Sequence, residues 1–173
     1  MKTLMCALLP CLFIASVCGK EVGKLISELP ETIKAEKGQL TLHADFSSKR
    51  PDGRIPVYLI NRTKLAITLN AQDGDVYLKL EAQSKTGEWV RAQRHSYSWC
   101  GNSYDFSPKI EPGSFIKILG YQPSQGRKQK VRFSLYNQSV SISSNVGLGL
   151  ASDKDITEST NDELARVKHK RAE

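Results

Sequence analysis

The sequence holds little sulphur, and almost all of it lies at one end. Of four cysteines and two methionines, only Cys100 lies beyond residue 18. The residues before that point resemble an export segment, so the mature chain would keep one thiol and no thioether. A single thiol cannot form an intramolecular disulfide, and the methionine ligand of many mononuclear copper sites is missing. The sequence therefore argues against a disulfide-stabilised framework and against copper chemistry of that kind.

Long apolar runs are also missing, apart from one near the N-terminus. Residues 4–17 form a mostly apolar run of 14 residues behind a lysine at position 2. A transmembrane helix needs roughly 20 such residues. The run is therefore typical of a cleaved signal peptide, residues 1–19, with cleavage before Lys20. We expect an exported protein with no transmembrane segment that is periplasmic, displayed at the cell surface or secreted.

The alternative to a cleaved signal peptide is lipidation at Cys18, although Val17 stands where a bacterial lipobox carries Gly, Ala or Ser.

Cleavage before Lys20 leaves 173 − 19 = 154 residues. That length suits one domain that buries roughly 70% of the surface of its unfolded chain and needs no disulfides. Composition divides the chain into a signal peptide (1–19), an N-terminal arm (20–38), a β-sandwich domain (39–150) and a polar, basic tail (151–173). For the tail, a helix and a disordered chain both stay open.

Motifs of known catalytic chemistry are missing as well. The sequence has no Gly-x-Ser-x-Gly elbow, no His-Glu-x-x-His pair and no phosphate-binding loop. The thiol of Cys100 has His95 five residues ahead of it, which leaves a thiol or metal enzyme as a weak alternative. Burial of Cys100 beside Trp99 is favoured, because free cysteine is among the most buried residue types. We therefore predict a protein that is not an enzyme and that carries no cofactor and no metal.

Positive charge exceeds negative charge, and the excess is not evenly spread along the chain. The formal net charge is +7, or +6 once the lysine of the signal peptide is removed. The basic residues form four groups, Lys49, Arg50 and Arg54; Arg91 and Arg94; Arg127, Lys128, Lys130 and Arg132; and Arg166, Lys168, Lys170 and Arg171. In an exported protein such an excess can serve to bind anionic envelope polymers or lipid headgroups, but a solubilising surface is the favoured explanation here. Nucleic acid is not expected, because the interleaved aromatic platforms of single-strand binders are missing.

Between residue 39 and about 145, apolar and polar residues alternate with a period of two, which predicts half-buried strands. The apolar positions are Leu40, Leu42 and Ala44; Ile55, Val57 and Leu59; Leu65, Ile67 and Leu69; Val76, Leu78 and Leu80; and Val131, Phe133 and Leu135. Residues 115–119 are apolar on nearly both faces, which predicts a central strand. Turn sequences such as Asp73-Gly74 and Pro112-Gly113 separate the runs. The pattern predicts an all-β antiparallel sandwich or barrel.

The order of these pieces resembles immunoglobulin-like β-sandwich domains of exported bacterial proteins. The similarity rests on residues 56–63 (PVYLINRT), 67–69 (ITL), the Pro112-Gly113 turn, residues 131–136 (VRFSLY) and an end at Ser144-Asn145. It spans residues 39–150 and implies an antiparallel immunoglobulin-like β-sandwich of about seven to nine strands, with a role in binding but no particular ligand. The paired inter-sheet cysteines of antibody domains are absent, so Trp99 is not framed by them.

A strip of aromatic and basic residues is the best candidate site. Its members are Trp89, Tyr97, Trp99, Tyr104 and Phe106, with Arg91 and Arg94 among them. Exposed rings of this kind stack on sugar rings or on the apolar patch of a partner protein. The alternative packs Trp89 and Trp99 into the core. We therefore expect a protein- or glycan-binding module, with an electrostatic binder of anionic polymers or lipid headgroups as the second hypothesis.

Overall fold

A computed structural model describes residues 24–48, 50, 52–72, 75–93, 108–137 and 140–157. Over these residues the chain is mostly strand, and the strand pairs are antiparallel. A 3-10 turn at Ile26–Glu28 and a helix at 153–157 are the helical parts of the described chain. The prediction of an all-β antiparallel fold is confirmed. In that part of the chain no helix has both the length and the apolar character needed to cross a membrane.

The described residues form thirteen strands, of which five are two residues long. They are β1 (Lys24–Leu25), β2 (Leu40–Ala44), β3 (Ile55–Asn61), β4 (Ile67–Thr68), β5 (Ala71–Gln72), β6 (Asp75–Val76), β7 (Leu78–Gln83), β8 (Trp89–Arg91), β9 (Lys109–Ile110), β10 (Ser114–Gly120), β11 (Arg127–Asn137), β12 (Val140–Ser143) and β13 (Gly147–Ala151). The first sheet has the order β1-β10-β3-β2. The second has the order β12-β11-β7-β8, and β13 also pairs with β11. Two further pairs, β4 with β9 and β5 with β6, stand apart from both sheets.

One apolar core contains residues from both sheets. The first sheet contributes the fully buried Val57 and Leu59, and the second contributes Leu80 and Phe133. Phe46, just past β2, stacks on Phe133 with the ring centroids 6.0 Å apart. The apolar positions that the alternation predicted in β3, β7 and β11 are therefore buried in the core, because successive side chains of a strand point to opposite faces.

Part of the outer face of the first sheet is covered by the N-terminal arm. Tyr58, Ile60 and Phe115 form a second apolar cluster with Ile33, against which residues 26, 29 and 35 also pack. The prediction that β3 is half-buried is wrong, since all seven of its residues are buried. The reason is that β3 has apolar side chains on both faces, one facing the core and the other facing the arm.

Two further predictions along the strands need correction. The run Leu65 to Leu69 forms only the two-residue β4, and the Leu65 side chain is 75% exposed. Conversely, β13 lies beyond the predicted last strand end at Ser144-Asn145. The alternating glycines of β13 weaken its sequence signal. They fit the fold, because a Cβ at Gly147 would collide with the ring of Phe46.

Side-chain carboxamides pair with backbone where strands end. The buried Asn137 side chain accepts a hydrogen bond from Asn70 N at 2.8 Å and donates one to Asn70 O at 2.7 Å. Asn145 makes the same pair of bonds with Ala44, at 2.7 and 3.0 Å. Each amide therefore supplies hydrogen-bond partners to both the N–H and the C=O of one backbone residue.

Candidate binding surface on the second sheet

The second sheet presents one continuous outer face. On β11, Val131, Phe133 and Leu135 are buried in the core, so Arg132 and Tyr136 between and beyond them point outward. Residues that lie opposite each other on paired strands share a face of the sheet. Register therefore identifies the outward residues of the neighbouring strands.

These outward residues are predominantly basic and aromatic, and we call them the basic face. They are Lys79, Glu81 and Gln83 on β7; Trp89 and Arg91 on β8; Lys128, Lys130, Arg132, Ser134 and Tyr136 on β11; and Leu148 and Leu150 on β13. Among these described residues five are basic and one is acidic. The face is therefore a surface of positive charge next to aromatic and aliphatic side chains.

Glu81 accounts for the negative charge on this face, and neighbouring side chains of the face cover its carboxylate. The residue is only 8% exposed. Its Oε2 accepts hydrogen bonds from Arg132 Nε and Ser134 Oγ, both at 2.7 Å, and its Oε1 accepts one from Tyr136 at 3.3 Å. A buried carboxylate is tolerated when it is paired and hydrogen-bonded in this way. The basic side chains of the face are therefore more accessible to solvent than the Glu81 carboxylate.

Arg132 links this carboxylate to Trp89. Its guanidinium carbon lies 4.4 Å from the centroid of the Trp89 ring, a cation–π contact. The planar guanidinium is thereby held between the ring and the Glu81 carboxylate, which suits arginine better than lysine. Trp89 is half-buried on the outer face and is not part of the core between the sheets. Arg132 and Glu81 thus fix the side chains at the β8 side of the face.

At the other side of the face, lysines lie next to leucines. Lys130 lies opposite Leu148 in the ladder between β11 and β13, and Lys128 lies opposite Leu150. Both lysines are exposed, and Leu148 is 58% exposed. Near the middle, the ammonium of Lys79 lies 5.2 Å from the ring centroid of Tyr136. Cationic side chains are therefore spread across the whole width of the sheet.

The structure places only two of the six predicted site residues on this face, Trp89 and Arg91. The other four, Arg94, Tyr97, Trp99 and Tyr104, lie outside the described residues, as do Phe106, His95 and Cys100. Sequence reasoning did not group Glu81 with Arg132, which are 51 residues apart. Both residues occupy polar positions in the alternating patterns of β7 and β11, which the sequence shows. The register that places them opposite each other is not visible in the sequence.

A second group of titratable residues lies on the outer face of the first sheet. His43 lies opposite Tyr58, and the ammonium of Lys117 is 5.9 Å from the Tyr58 ring centroid. Burial lowers the pKa of His43, an effect that Asp45 partly offsets, and burial together with Asp45 raises the pKa of Tyr58. Burial alone would raise the pKa of Asp45, but hydrogen bonds from Ser47 and Ser48 bring it below its usual value. This group mixes charges of both signs and lacks the excess of cations seen on the basic face.

The described ranges contain no group of three or more His, Cys, Asp or Glu side chains placed to hold a metal ion. Comparison with known proteins gives no match, either to a family model, to a curated protein or to a solved structure. The proposal for function therefore depends on the chemistry of the basic face.

Proposed function

We propose that this protein is an exported, non-catalytic binding module, with an immunoglobulin-like fold, that binds an anionic partner at the cell envelope through its basic face. The observation that supports the proposal most is the distribution of charge, five basic residues and one buried acid on the described strands of one face. Such a field attracts polyanions and raises their association rate. A binding role also agrees with the resemblance to immunoglobulin-like domains, which place ligand contacts on a rigid β scaffold.

Some residues of the face would contact the ligand, and others position the side chains next to them. Lys128 and Lys130 are exposed, so they can meet an anionic group without prior rearrangement. Arg132 is held by Glu81 and Trp89, with 24% of its side chain exposed, so it positions the neighbouring side chains more than it meets solvent. The hypothesis of an aromatic binding site is retained, but for two side chains only. Tyr136, 50% exposed, and the outer edge of Trp89 would contact the sugar rings of an anionic glycan.

The test is binding of the mature protein to a polyuronate and to neutral dextran. We expect binding to the polyuronate, little binding to dextran, and weaker binding as salt rises, because exposed charges are screened over about 8 Å at physiological ionic strength. An exposed ion pair contributes about 0.2–1 kcal/mol. The double variant Lys128→Ala/Lys130→Ala should therefore bind the polyuronate roughly 2- to 30-fold more weakly.

The matched control is Lys34→Ala/Lys117→Ala, which removes the same charge from the first-sheet side. Both control lysines are exposed. A general effect of net charge would weaken binding equally in the two double variants. Equal loss in both, or binding that is insensitive to salt, would contradict the assignment of the site to the basic face.

A further inference from the structure

Exposed aliphatic side chains occur beside the lysines of the basic face. Leu148 is 58% exposed, and Val146, two residues ahead of it, is 50% exposed. Leu150 is partly exposed on the same face. Each of the two leucines lies opposite a lysine of β11, so a row of apolar side chains on β13 lies beside a row of cationic side chains on β11.

Exposed leucines do not strengthen the binding of a soluble polyanion, because its charged groups contact only the lysines. An anionic bilayer offers both kinds of contact. Its headgroups attract Lys and Arg, and the boundary between headgroups and acyl chains accepts aliphatic side chains. A leucine exposed to water is disfavoured, and removal of its surface from water is favourable.

The position of β13 allows the protein to contact a bilayer with both kinds of side chain. Within the described chain, β13 pairs with β11 on one side and lies at the edge of the second sheet. Neighbouring strands are about 4.8 Å apart, and outward residues two apart along a strand are separated by roughly 6.8 Å. If the sheet tilts towards this edge, Leu148 and Val146 reach the membrane first. Lys128 and Lys130 follow one strand behind, where their flexible stems keep the ammonium groups at headgroup level.

We propose that the anionic partner of the basic face is the surface of an anionic lipid bilayer, met edge-first by β13, with Leu148 entering the interface and Lys128 and Lys130 meeting lipid headgroups. This inference depends on the proposed function, since it uses the same lysines. It adds a role for Leu148 that a soluble polymer does not require. The interaction is peripheral and reversible, since it uses few side chains and little apolar area.

The test is co-sedimentation of the mature protein with vesicles of phosphatidylcholine alone and with vesicles that contain 30 mol% phosphatidylglycerol. We expect binding to the anionic vesicles only. Leu148→Ser should lower that binding about fivefold, because it removes apolar surface that inserts at the interface, and it should leave binding of the soluble polyuronate unchanged. Lys128→Ala/Lys130→Ala should weaken both.

The matched control for Leu148→Ser is Leu65→Ser. Leu65 is 75% exposed, and it follows β3 rather than lying on the second sheet. Both substitutions are at exposed positions, and thermal unfolding confirms that both variants fold. Leu65→Ser should bind the anionic vesicles as the wild type does.

Three results would overturn the lipid assignment. One is vesicle binding unchanged by Leu148→Ser. Another is binding of the polyuronate without binding of anionic vesicles, which leaves the proposed function standing and removes only the lipid. The third is a change of molecular mass in light scattering on Leu148→Ser, which assigns the exposed leucine to contact between two copies of the chain. A Lys128→Ala/Lys130→Ala variant that binds both probes normally contradicts the lipid and the proposed function together.

Discussion

At the scale of single residues, asparagine side chains join loops to the sheets through pairs of hydrogen bonds. Asn137 and Asn145 each take both hydrogen bonds of one backbone unit. Asn61, fully buried, donates to Leu65 O and to Ile110 O. Asn61 and Asn137 each begin an Asn-x-Ser/Thr triplet. In this fold these asparagines have structural hydrogen bonds and are not surface acceptors for a glycan.

We predict that Asn137→Ala lowers the free energy of unfolding by about 2 kcal/mol, because each hydrogen bond that is lost contributes about 0.5–1.5 kcal/mol. The variant loses the two hydrogen bonds that the buried Asn137 side chain makes with the Asn70 backbone. Urea denaturation measures the change. Ser141→Ala, at an exposed position of β12, is the control and should change stability by less than about 0.5 kcal/mol. Equal stability of the two variants would show that the Asn137 bonds are replaced by water at no cost.

At the scale of elements, the arm and β3 show what sequence patterns could and could not predict. The period of two located β2, β3, β7 and β11, because that period is a property of each strand alone. Burial of the outer face of β3 was not predicted, since it depends on residues 26–35, whose mixed composition gave no docking signal. β13 was missed because glycine at positions 147 and 149 suits close packing in the fold but lowers strand propensity.

The β2 strand carries a histidine that makes stability depend on pH. Burial lowers the pKa of His43, so between pH values near its ordinary 6.5 and its lower folded value the unfolded chain binds a proton that the folded chain does not. The unfolded state then binds more protons, and stability rises with pH. The contribution of His43 is therefore complete above about pH 6.5 and is lost as the pH falls towards the folded pKa.

We predict that the wild type loses more stability than His43→Gln between pH 7.5 and pH 5.5. Urea denaturation at the two pH values gives the measurement. The carboxylates are common to both proteins, so the difference between the two pH slopes reports on His43. Parallel slopes would mean that this side chain titrates normally in the folded protein.

At the scale of the whole molecule, the two sheets have different outer surfaces. The arm covers part of the outer face of the first sheet, and the groups around Tyr58 there mix Lys117 with Asp45. The second sheet leaves most of its outer residues at least partly exposed, and most of their charges are positive. The sequence showed the positive charge but could not place it, because Lys79, Arg91 and Lys130 meet on one face only through strand register.

The aromatic strip illustrates the same limit. Its members are close in sequence, which suggested a shared surface, but position along the chain does not determine which strand faces which. Trp89 and Arg91 lie on the basic face because β8 pairs with β7. The partners that hold Trp89 there, Arg132 and Glu81, come from strands on which no aromatic site was expected.

The central claim is that an anionic partner binds the outer face of the second sheet. The most direct test is a titration of the isotope-labelled protein, residues 20–173, with an anionic oligosaccharide, or with small bicelles that contain phosphatidylglycerol, followed by amide chemical shifts. We predict that the largest shift changes fall on β7, β8, β11 and β13, around Lys79, Lys130 and Leu148, and that β2 and β3 change little. Shift changes confined to the first sheet, or to the segment 94–107, would contradict the account.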